Sequence, residues 1–476
     1  MKHCPSPACP FVVRHGRAAE YVDDAAACSD CGAELEAGGV PEPAPVVVPP
    51  VSSALWKRAA VSAGAVAAVL ALERVPMPGV DSFEGYVPAM LGALGLMPFI
   101  SAFALVELVA LAVPRWRPLR IGGHATRAKL RRAAFWLGVA FSVVQGLGSA
   151  IWIDSLQLYD LGPDLEPTVG RYSVTAMLVA SALVTYGLAR LIDVRGLGSG
   201  FAILVAASAA VALGSWLWPM AWVLHEVPVL TLLALCAVMW LFSRAFIRWP
   251  RAASLGVSLP LPSSGLAPLG DASLLLALVG FLASFGVNIG VIPWDRLPTP
   301  QMSRPLDLAL VAAFTFAWAY AFNRPSRVAA VAAKCLGREP AAVLPTAKRA
   351  VLTGAALSAL GLMGLCMLSR TLNGRSEQGL DLVLLLTLVA VAADLRDEWR
   401  FRRATGEVSV AWPLHRMYAV SPVVEALAAA GIPAHARSAR YRSLLQFFGP
   451  YVPVEVLVPA EHAERAEAML RVRLMP

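Results

Sequence analysis

Four cysteines near the start of the sequence have the spacing of a metal site. They form two close pairs, Cys4 with Cys9 and Cys28 with Cys31, and 18 residues separate the pairs. Such pairs can supply four thiolates to one tetrahedral Zn²⁺ ion, and Gly32 favours the turn after the second pair. Two disulfides or a redox-active CxxC dithiol are the alternatives, although the dithiol would leave the first pair unexplained. We predict a structural zinc site in a ribbon-like arm of residues 1–38, which is too short to build an adequate core.

A second set of polar groups lies inside an apolar stretch, GLMPFISAFALVELVALAVP, from Gly95 to Pro114. Lipid offers no hydrogen-bond partner for the carboxylate of Glu107 or for a carbonyl freed by Pro98, so both are expected to face protein or water. The acidic pair Asp397–Glu398 is interpreted as a solvated face. None of the seven histidines stands with a serine or cysteine and an acid at a catalytic spacing. The sequence therefore predicts a protein that is not an enzyme.

The composition is that of a polytopic membrane protein. Hydrophobic residues make up 58% of the 476 positions, charged residues only 15%, and the mean hydropathy is +0.63. A formal net charge of +8 could indicate a nucleic-acid partner. Basic loops are, however, expected in a membrane protein from the positive-inside rule, so we expect no direct nucleic-acid partner. The opening MKHCPSPACP lacks an apolar run, and no cleavable signal peptide is expected.

Ten apolar segments approach the roughly 20 residues that a helix needs to cross a bilayer. Their approximate bounds are 55–73, 92–113, 133–153, 173–192, 200–219, 222–243, 271–290, 306–322, 349–368 and 380–395. The loops after the second, fourth, sixth and eighth segments are basic, whereas the opposite loops are acidic or mixed. This alternation places both termini in the cytosol. The cysteine arm would then lie in a reducing compartment, where structural disulfides are rare.

A linker precedes the membrane segments and a small domain follows them. The stretch VPEPAPVVVPPVSS predicts a stiff, proline-rich linker over residues 39–54. Residues 406–476 show a βαββα pattern, with strands expected in GEVSVAWPLH, PAHARSARYR and VPVEVLVP. This order predicts a small α+β cytosolic domain with helices on one face of an antiparallel sheet. Its AGIPAHAR motif, followed by FFGPYVPVEVLVP, resembles a small putative signal-transducing domain of bacterial proteins, and its simplest role is a folded tail that stabilises or docks.

Seven stretches of the membrane region, all in one order, resemble the SecY family of protein-conducting channels. They are VPMPGVD at 75–81, LGLMPFISA at 94–102, VVQGLG at 143–148, RLIDVRGLGSGFAILVA at 190–206, LPLPSSGLAP at 259–268, FAWAYAFNRPSRVA at 316–329 and TAKRAVLTGAAL at 346–357. The resemblance implies an α-helical polytopic membrane domain over residues 55–403. Its ten transmembrane helices would form two pseudo-symmetric halves around a central pore, in a bacterial-type inner membrane.

The resemblance also implies roles for particular residues. Leu96 and Ile100 in the second segment, with Phe201 and Val205 in the fifth, match pore-constriction positions, where branched apolar side chains can seal a pore. Candidates for a lateral gate are Ser101, Glu107 and Gln145. Implied partners are unfolded polypeptide substrates, a SecE-like subunit, the lipid bilayer, and a ribosome or SecA-like motor. The loop CLGREPAAVLP lacks the family's arginine-bearing docking motif, and Arg338 is the candidate substitute.

Two other departures from the family keep two hypotheses open. The plug segment is short, since DSFEGYVPAMLGA covers the whole distance between the first two matching stretches. Gly270 and Thr387 stand where large aliphatic constriction residues are usual. The leading hypothesis is a passive pore that transports or inserts unfolded polypeptides. The alternative is a non-conducting SecY-like scaffold or sensor that acts through its cytosolic zinc and α+β domains. A secondary transporter is disfavoured because Asp193, His225, Glu226 and Asp271 fall near segment ends.

Overall fold

A computed structural model gives the fold of a defined subset of the chain. The described residues are 2–4, 20–21, 26–28, 31, 33–37, 55–80, 90–116, 119, 124–156, 158, 167–211, 236–237, 240–241, 251–252, 257–258, 268–269, 272, 303–373, 382–445 and 451–474. The chain divides into two compact units. Met1–Ser52, Ala63–Leu191 and Arg471–Pro476 form the first, and Ser53–Ser62 with Ile192–Leu470 form the second.

The first unit contains a small sheet and the early apolar helices. Strands β1 (Lys2–His3), β2 (Glu20–Tyr21) and β3 (Glu36–Ala37) pair antiparallel in the order β2-β1-β3. The helices are α1 (Leu55–Leu72), α2 (Met97–Ala112), α3 (His124–Ser155) and α4 (Pro167–Arg195), of which α1 and α4 also contribute residues to the second unit. Helices α3 and α4 extend beyond their predicted apolar segments, because helical hydrogen bonding continues through the polar residues that flank each segment.

The second unit contains the remaining helices. They are α5 (Gly200–Val211), α6 (Ser303–Phe322), α7 (Pro325–Leu336), α8 (Pro340–Asn373) and α9 (Leu382–Thr405). A two-stranded antiparallel hairpin, β4 (Arg251–Ala252) with β5 (Val257–Ser258), lies between α5 and α6 in the chain. Helix α7 was not predicted, and it is amphipathic: Val328, Ala329, Ala332 and Ala333 are each 1% exposed on one face.

Five described helices are long and apolar enough to cross a membrane. They are Leu55–Leu72, Ala128–Ser155, Val169–Arg195, Pro305–Phe322 and Pro340–Leu368. Only 22–39% of the residues in these windows are buried inside the protein, which leaves apolar side chains for lipid to cover. The predicted segments 222–243 and 271–290 lie almost entirely outside the described residues, as does the second half of 200–219. The count of ten membrane helices therefore stays a prediction.

Residues after α9 fold into the predicted α+β domain. Its elements are β6 (Val408–Leu414), α10 (Val420–Ala429), β7 (His435–Arg437), α11 (Ala439–Leu444), β8 (Val454–Pro459) and α12 (Ala463–Leu474). The sheet is antiparallel in the order β6-β8-β7, with Val410 opposite Leu457 and Ala436 opposite Val456. The antiparallel sheet is confirmed.

The prediction for PAHARSARYR was wrong in its second half. The strand stops at Arg437, Ser438 adopts the left-handed conformation with φ +59°, and α11 follows at once. Two backbone N–H groups in the first turn of α11, those of Arg440 and Tyr441, donate to the carboxylate of Asp394 on α9 at 3.1 and 2.9 Å. A carboxylate at a helix N-terminus satisfies donors that the helix leaves open, so a residue 46 positions away favours a helix where local pattern favoured a strand.

Candidate functional site

Three of the four predicted zinc ligands lie together in the cysteine arm. Cys4 follows β1, and Cys28 and Cys31 lie on a turn that the N–H of Cys28 closes by donating to the carbonyl of Ala33 at 2.8 Å. The three sulfur atoms lie within 4.8 Å of one another. Cys4 and Cys28 are buried, with 2% and 3% exposure. Cys9 lies outside the described residues.

The sulfur geometry distinguishes between the alternatives for these cysteines. The Sγ atoms of Cys4 and Cys31 are 3.5 Å apart. A disulfide needs about 2.05 Å, whereas thiolates about 2.3 Å from one tetrahedral zinc ion stand roughly 3.8 Å from each other. The donor set is soft and near tetrahedral spacing, so these residues fit a structural zinc ion better than a disulfide.

Helix α2 begins at a tightly packed corner of the first unit. Pro98 occupies the first turn, where its missing N–H costs no helical hydrogen bond. Phe99 is fully buried and stacks on Tyr186 of α4, with ring centroids 4.5 Å apart. A Cβ added to Gly138 of α3 would come within 2.4 Å of the Phe99 ring, so this glycine is what lets α3 approach. Helices α3 and α4 thereby fix where α2 starts.

The predicted constriction residues occupy two helices, and each pair is spaced by one helical turn. Leu96, at the N-cap of α2, is buried, and Ile100 is half-buried. Phe201 on α5 is buried, and Val205 is half-buried. The side chains of Ile100 and Val205 are thus each partly accessible on the compact unit to which they belong. Of the two small residues at further predicted constriction positions, Gly270 lies outside the described residues.

The structure describes Thr387, the second of those small residues, and the three candidates for the lateral gate. Thr387 is buried in α9, and its hydroxyl donates to the carbonyl of Val383 at 2.9 Å. Glu107 on α2 is 1% exposed, which confirms the expectation that its carboxylate does not face lipid. Ser101 on α2 and Gln145 on α3 are half-buried.

Arg338, the candidate docking residue, is exposed just beyond α7. Gly337 ends the helix in the left-handed conformation with φ +66°, and the N–H of Arg338 donates to the carbonyl of Ala333 at 2.9 Å. This is a glycine-terminated helix end of the Schellman type. The guanidinium is therefore presented to solvent by a defined backbone turn.

The 193–200 turn, which runs from the last residues of α4 to the first residue of α5, is held by side chains from within it and from distant parts of the second unit. The N–H of Gly198 donates to Glu398 Oε2 at 3.0 Å, and that of Gly200 donates to Asp193 Oδ1 at 2.8 Å. Ser62 Oγ exchanges hydrogen bonds with both backbone groups of Leu197, at 2.8 and 2.9 Å. This turn leads directly into α5, where Phe201 follows.

Gly198 is required in that turn for two reasons. Its φ of +79° lies in the region that side chains rarely adopt. An added Cβ would also stand 2.5 Å from Leu395 Cδ2 on α9. The glycine therefore permits both the reversal of the chain and the close approach of α9.

Arg437 of the C-terminal domain completes a buried charge junction, which comprises Glu398, Arg402, Arg437, Glu455 and the 193–200 turn. Its Nε lies 3.1 Å from Glu398 Oε2, and its Nη1 lies 2.8 Å from Glu455 Oε2. Arg437 Nη2 donates to the carbonyl of Gly196 at 3.3 Å. Arg402 Nε lies 2.8 Å from the other oxygen of Glu398. Both oxygens of Glu398 are thereby bound.

The charges in this junction stabilise one another. Burial alone would raise the pKa of Glu398, but Arg437 and Arg402 outweigh it and hold that pKa below its ordinary value. Burial alone would lower the pKa of Arg437, yet Glu398 and Glu455 outweigh it and raise that pKa. Both groups therefore stay ionised although their side chains are 1% and 5% exposed. Burial lowers the pKa of the adjacent His435, whose ring stacks on Phe401 at 5.4 Å.

Sequence reasoning missed this junction. The prediction that Asp397–Glu398 forms a solvated face was wrong for Glu398, which is 1% exposed. The available signal was the i, i+4 spacing of Glu398 and Arg402 on one helix face. That signal does not reveal burial, because the other partners are 39 and 200 residues away along the chain.

Comparison with known proteins gives a consistent family match. The SecY family model matches residues 91–334, just over half of the chain. The protein translocase subunit SecY of Streptomyces galbus is 28% identical over 270 residues, which cover 50% of this chain and 62% of that protein. The subunit of Streptomyces coelicolor is 31% identical over 132 residues, which cover 26% of this chain and 30% of that protein. The chain thus spans about three fifths, at most, of these two relatives' length.

Among solved structures, the chain is similar to Sec61 in the canine ribosome–channel complex from the endoplasmic reticulum. The TM-score is 0.47 at 13% identity, over 75% of this chain and 94% of the other. The family match rests on the sequence.

Proposed function

This chain belongs to the SecY family, and we propose that it is a channel subunit through which unfolded polypeptides cross or enter a bacterial-type plasma membrane. The observation that carries the proposal is the family match over residues 91–334, which contain α2 to α6 and most of α7. The proposed channel is a passive pore that performs no bond chemistry. We further propose ten membrane helices, with both termini in the cytosol, as the charge alternation of the loops predicts.

The proposed constriction is formed by Leu96, Ile100, Phe201 and Val205. The rigid start of α2, anchored by Phe99, and the rigid turn before α5 support this proposal, because both elements would hold their side chains at fixed positions. Branched and aromatic apolar side chains at such a ring exclude water when no polypeptide is present. Ser101, Glu107 and Gln145 are proposed to lie along a lateral gate, where polar groups can hydrogen-bond between helices.

The proposed partners follow from the family and from one exposed side chain. A SecE-like subunit and a ribosome or SecA-like motor are expected, because a passive pore needs an external source of energy. Arg338 is proposed to contribute to cytosolic docking, which its exposure beyond α7 permits. The cysteine arm is proposed to bind one structural zinc ion through Cys4, Cys9, Cys28 and Cys31. Its role there is to stabilise the arm.

Site-specific photocrosslinking tests the channel. A photoreactive residue replaces Ile100, membranes are programmed with a stalled secretory polypeptide, and a standard SecY channel serves as the positive control. Leu105 on the same helix is 42% exposed and is the matched negative position. A crosslink from position 100 but not from position 105, lost when secretion is blocked upstream, supports the pore. Equal labelling at both positions, or none at position 100, refutes it.

The second candidate function is a non-conducting scaffold or sensor that acts through its cytosolic domains. The observation that favours it is the buried charge junction, which ties the C-terminal domain to the membrane helices of the second unit. The experiment that separates the two functions is the same crosslink. If the standard channel is labelled in parallel and position 100 is not, the scaffold function is favoured.

A further inference from the structure

The C-terminal domain packs on the membrane helices of the second unit through both apolar and charged contacts. Leu444 of α11 is 1% exposed and belongs to a buried cluster with Leu382, Leu385, Leu386 and Ala390 of α9. The carboxylate of Asp394 receives the first-turn N–H groups of α11. Helix α11 therefore packs directly against α9, and these contacts dock the domain on the membrane helices.

The same domain covers two segments that the charge alternation assigns to cytosolic loops. Helix α10 packs against α7, which connects α6 and α8 and carries Arg338 at its end. It also packs against strand β5 of the hairpin between α5 and α6. Val423 and Leu427 of α10 are fully buried. The C-terminal domain therefore covers part of the α7 surface and leaves Arg338 exposed.

Arg437 connects this docked domain to the start of α5. The guanidinium contacts Glu398 and donates to the carbonyls of Gly196 and Asp193, which lie in the turn before Phe201. Ser438, the next residue, lies close to Gly198, Ala202 and Ile203. Removing the domain would take away one of the two guanidinium groups that bind Glu398, leaving it with Arg402 and the N–H of Gly198. The carbonyl of Gly196 would keep only its hydrogen bond from Arg58 Nη1, at 3.1 Å.

We propose that the C-terminal domain is an intramolecular latch, which when docked fixes the turn before α5 and covers α7, and when released frees both. The inference rests on the proposed function only in naming α5 as a pore-lining helix. It assigns the domain a regulatory role: undocking loosens the start of α5 and exposes the α7 surface in one step. The ion pair between Arg437 and Glu398 is the contact that couples the two events.

Hydrogen exchange on the full chain in lipid nanodiscs, without any client polypeptide, tests the latch. The Arg437→Met variant keeps an unbranched side chain that matches the aliphatic part of arginine, and it removes the charge and the donors. We expect exchange in peptides covering residues 193–200 and 325–336 to accelerate at least about tenfold, equivalent to about 1.4 kcal/mol. Exchange in β8 should stay within about twofold of wild type, because the sheet of the domain stays folded.

Two further variants make the result decisive. Asp394→Asn removes the charge that receives α11 while leaving Arg437 and Glu398 in place, and it should accelerate exchange in the same two peptides. Arg465→Met is the control, since this arginine is exposed and donates to Ala430 within the same domain. It should change neither peptide.

The latch is overturned if Arg437→Met leaves residues 193–200 and 325–336 as protected as Arg465→Met does. It is also overturned if β8 loses protection together with them, because the domain would then be unfolding and not undocking. Neither result depends on transport. A failed crosslink from position 100 with accelerated exchange would refute the channel and keep the latch.

Discussion

The Glu398→Gln substitution tests whether the buried charge junction holds the second unit together. Glu398 is 1% exposed and binds Arg402 at 2.8 Å, Arg437 at 3.1 Å and the N–H of Gly198 at 3.0 Å. Glutamine keeps the shape but has no charge, so two buried guanidinium groups lose their shared counter-ion. Removing one partner of a buried ion pair costs about 3–5 kcal/mol. Because Arg437 retains Glu455, we expect the lower end, about 3 kcal/mol.

Denaturant titration in nanodiscs, followed by tryptophan fluorescence, measures this cost. Trp399 is adjacent to Glu398 and contacts Trp56 edge-on at 5.1 Å, so it reports on the same region. The change in midpoint, multiplied by a common m-value, gives the change in unfolding free energy.

Glu455→Gln is the matched control for this measurement. Its side chain is 27% exposed and loses one contact with Arg437, so we expect about 1 kcal/mol or less. If Glu398→Gln destabilised the protein no more than Glu455→Gln, the junction would not be a stabilising element. The reasoning from its burial would then be wrong.

Three other predictions follow from single residues. Gly198→Ala should lower the free energy of unfolding by more than the roughly 1–2 kcal/mol that left-handed strain alone costs. Gly337→Ala is the control, because Gly337 has φ +66° but nothing within 4 Å of an added Cβ, and it should show the cost of strain alone. Equal costs in denaturant titration would exclude a steric contribution at position 198. Purified protein should contain one zinc ion per chain by mass spectrometry. The Cys4→Ser variant should lose the ion and the control variant Cys335→Ser should keep it. Retention of zinc in the Cys4→Ser variant would refute the metal site. Because burial lowers the pKa of His435, the unfolded chain binds more protons than the folded chain at acidic pH. The contribution of His435 to stability should therefore be fully present above about pH 6.5 and be lost as the pH falls below it. His435→Phe should flatten that step in a pH series of denaturant midpoints, and an unchanged step would assign it to another group.

The parts of the structure that the sequence predicted are those determined by local pattern. The second cysteine pair predicts its own turn, because two ligands three positions apart need only one reversal of the chain. The apolar runs predicted α1, α3, α4, α6 and α8, since length and composition alone make a membrane helix. Alternating residues in VPVEVLVP predicted β8, the central strand of its sheet.

The parts that could not be predicted depend on contacts between distant residues. Glu398 looks like a surface residue in DLRDEWRFRR, and its burial is decided by Arg437 and by the turn at Gly198. The helical conformation of ARYRSL is decided by Asp394, which lies outside the local window. Helix α7 was missed because its short apolar face, VAAVAA, is too weak a pattern without the neighbours that bury it.

The contacts of Arg437 also determine when this fold can be completed during synthesis. Arg437 is 241 residues beyond Gly196 and 244 beyond Asp193. At 5–20 residues per second, a ribosome needs about 12–50 s to add that length. Until then the turn before α5 has Arg58 on the carbonyl of Gly196 but lacks Arg437, although α4 and α5 have long left the ribosome. A nascent chain is therefore incomplete at this turn until the C-terminal domain emerges. A message truncated upstream of Arg437 yields a membrane protein in which Glu398 keeps Arg402 and the N–H of Gly198 but lacks its second guanidinium.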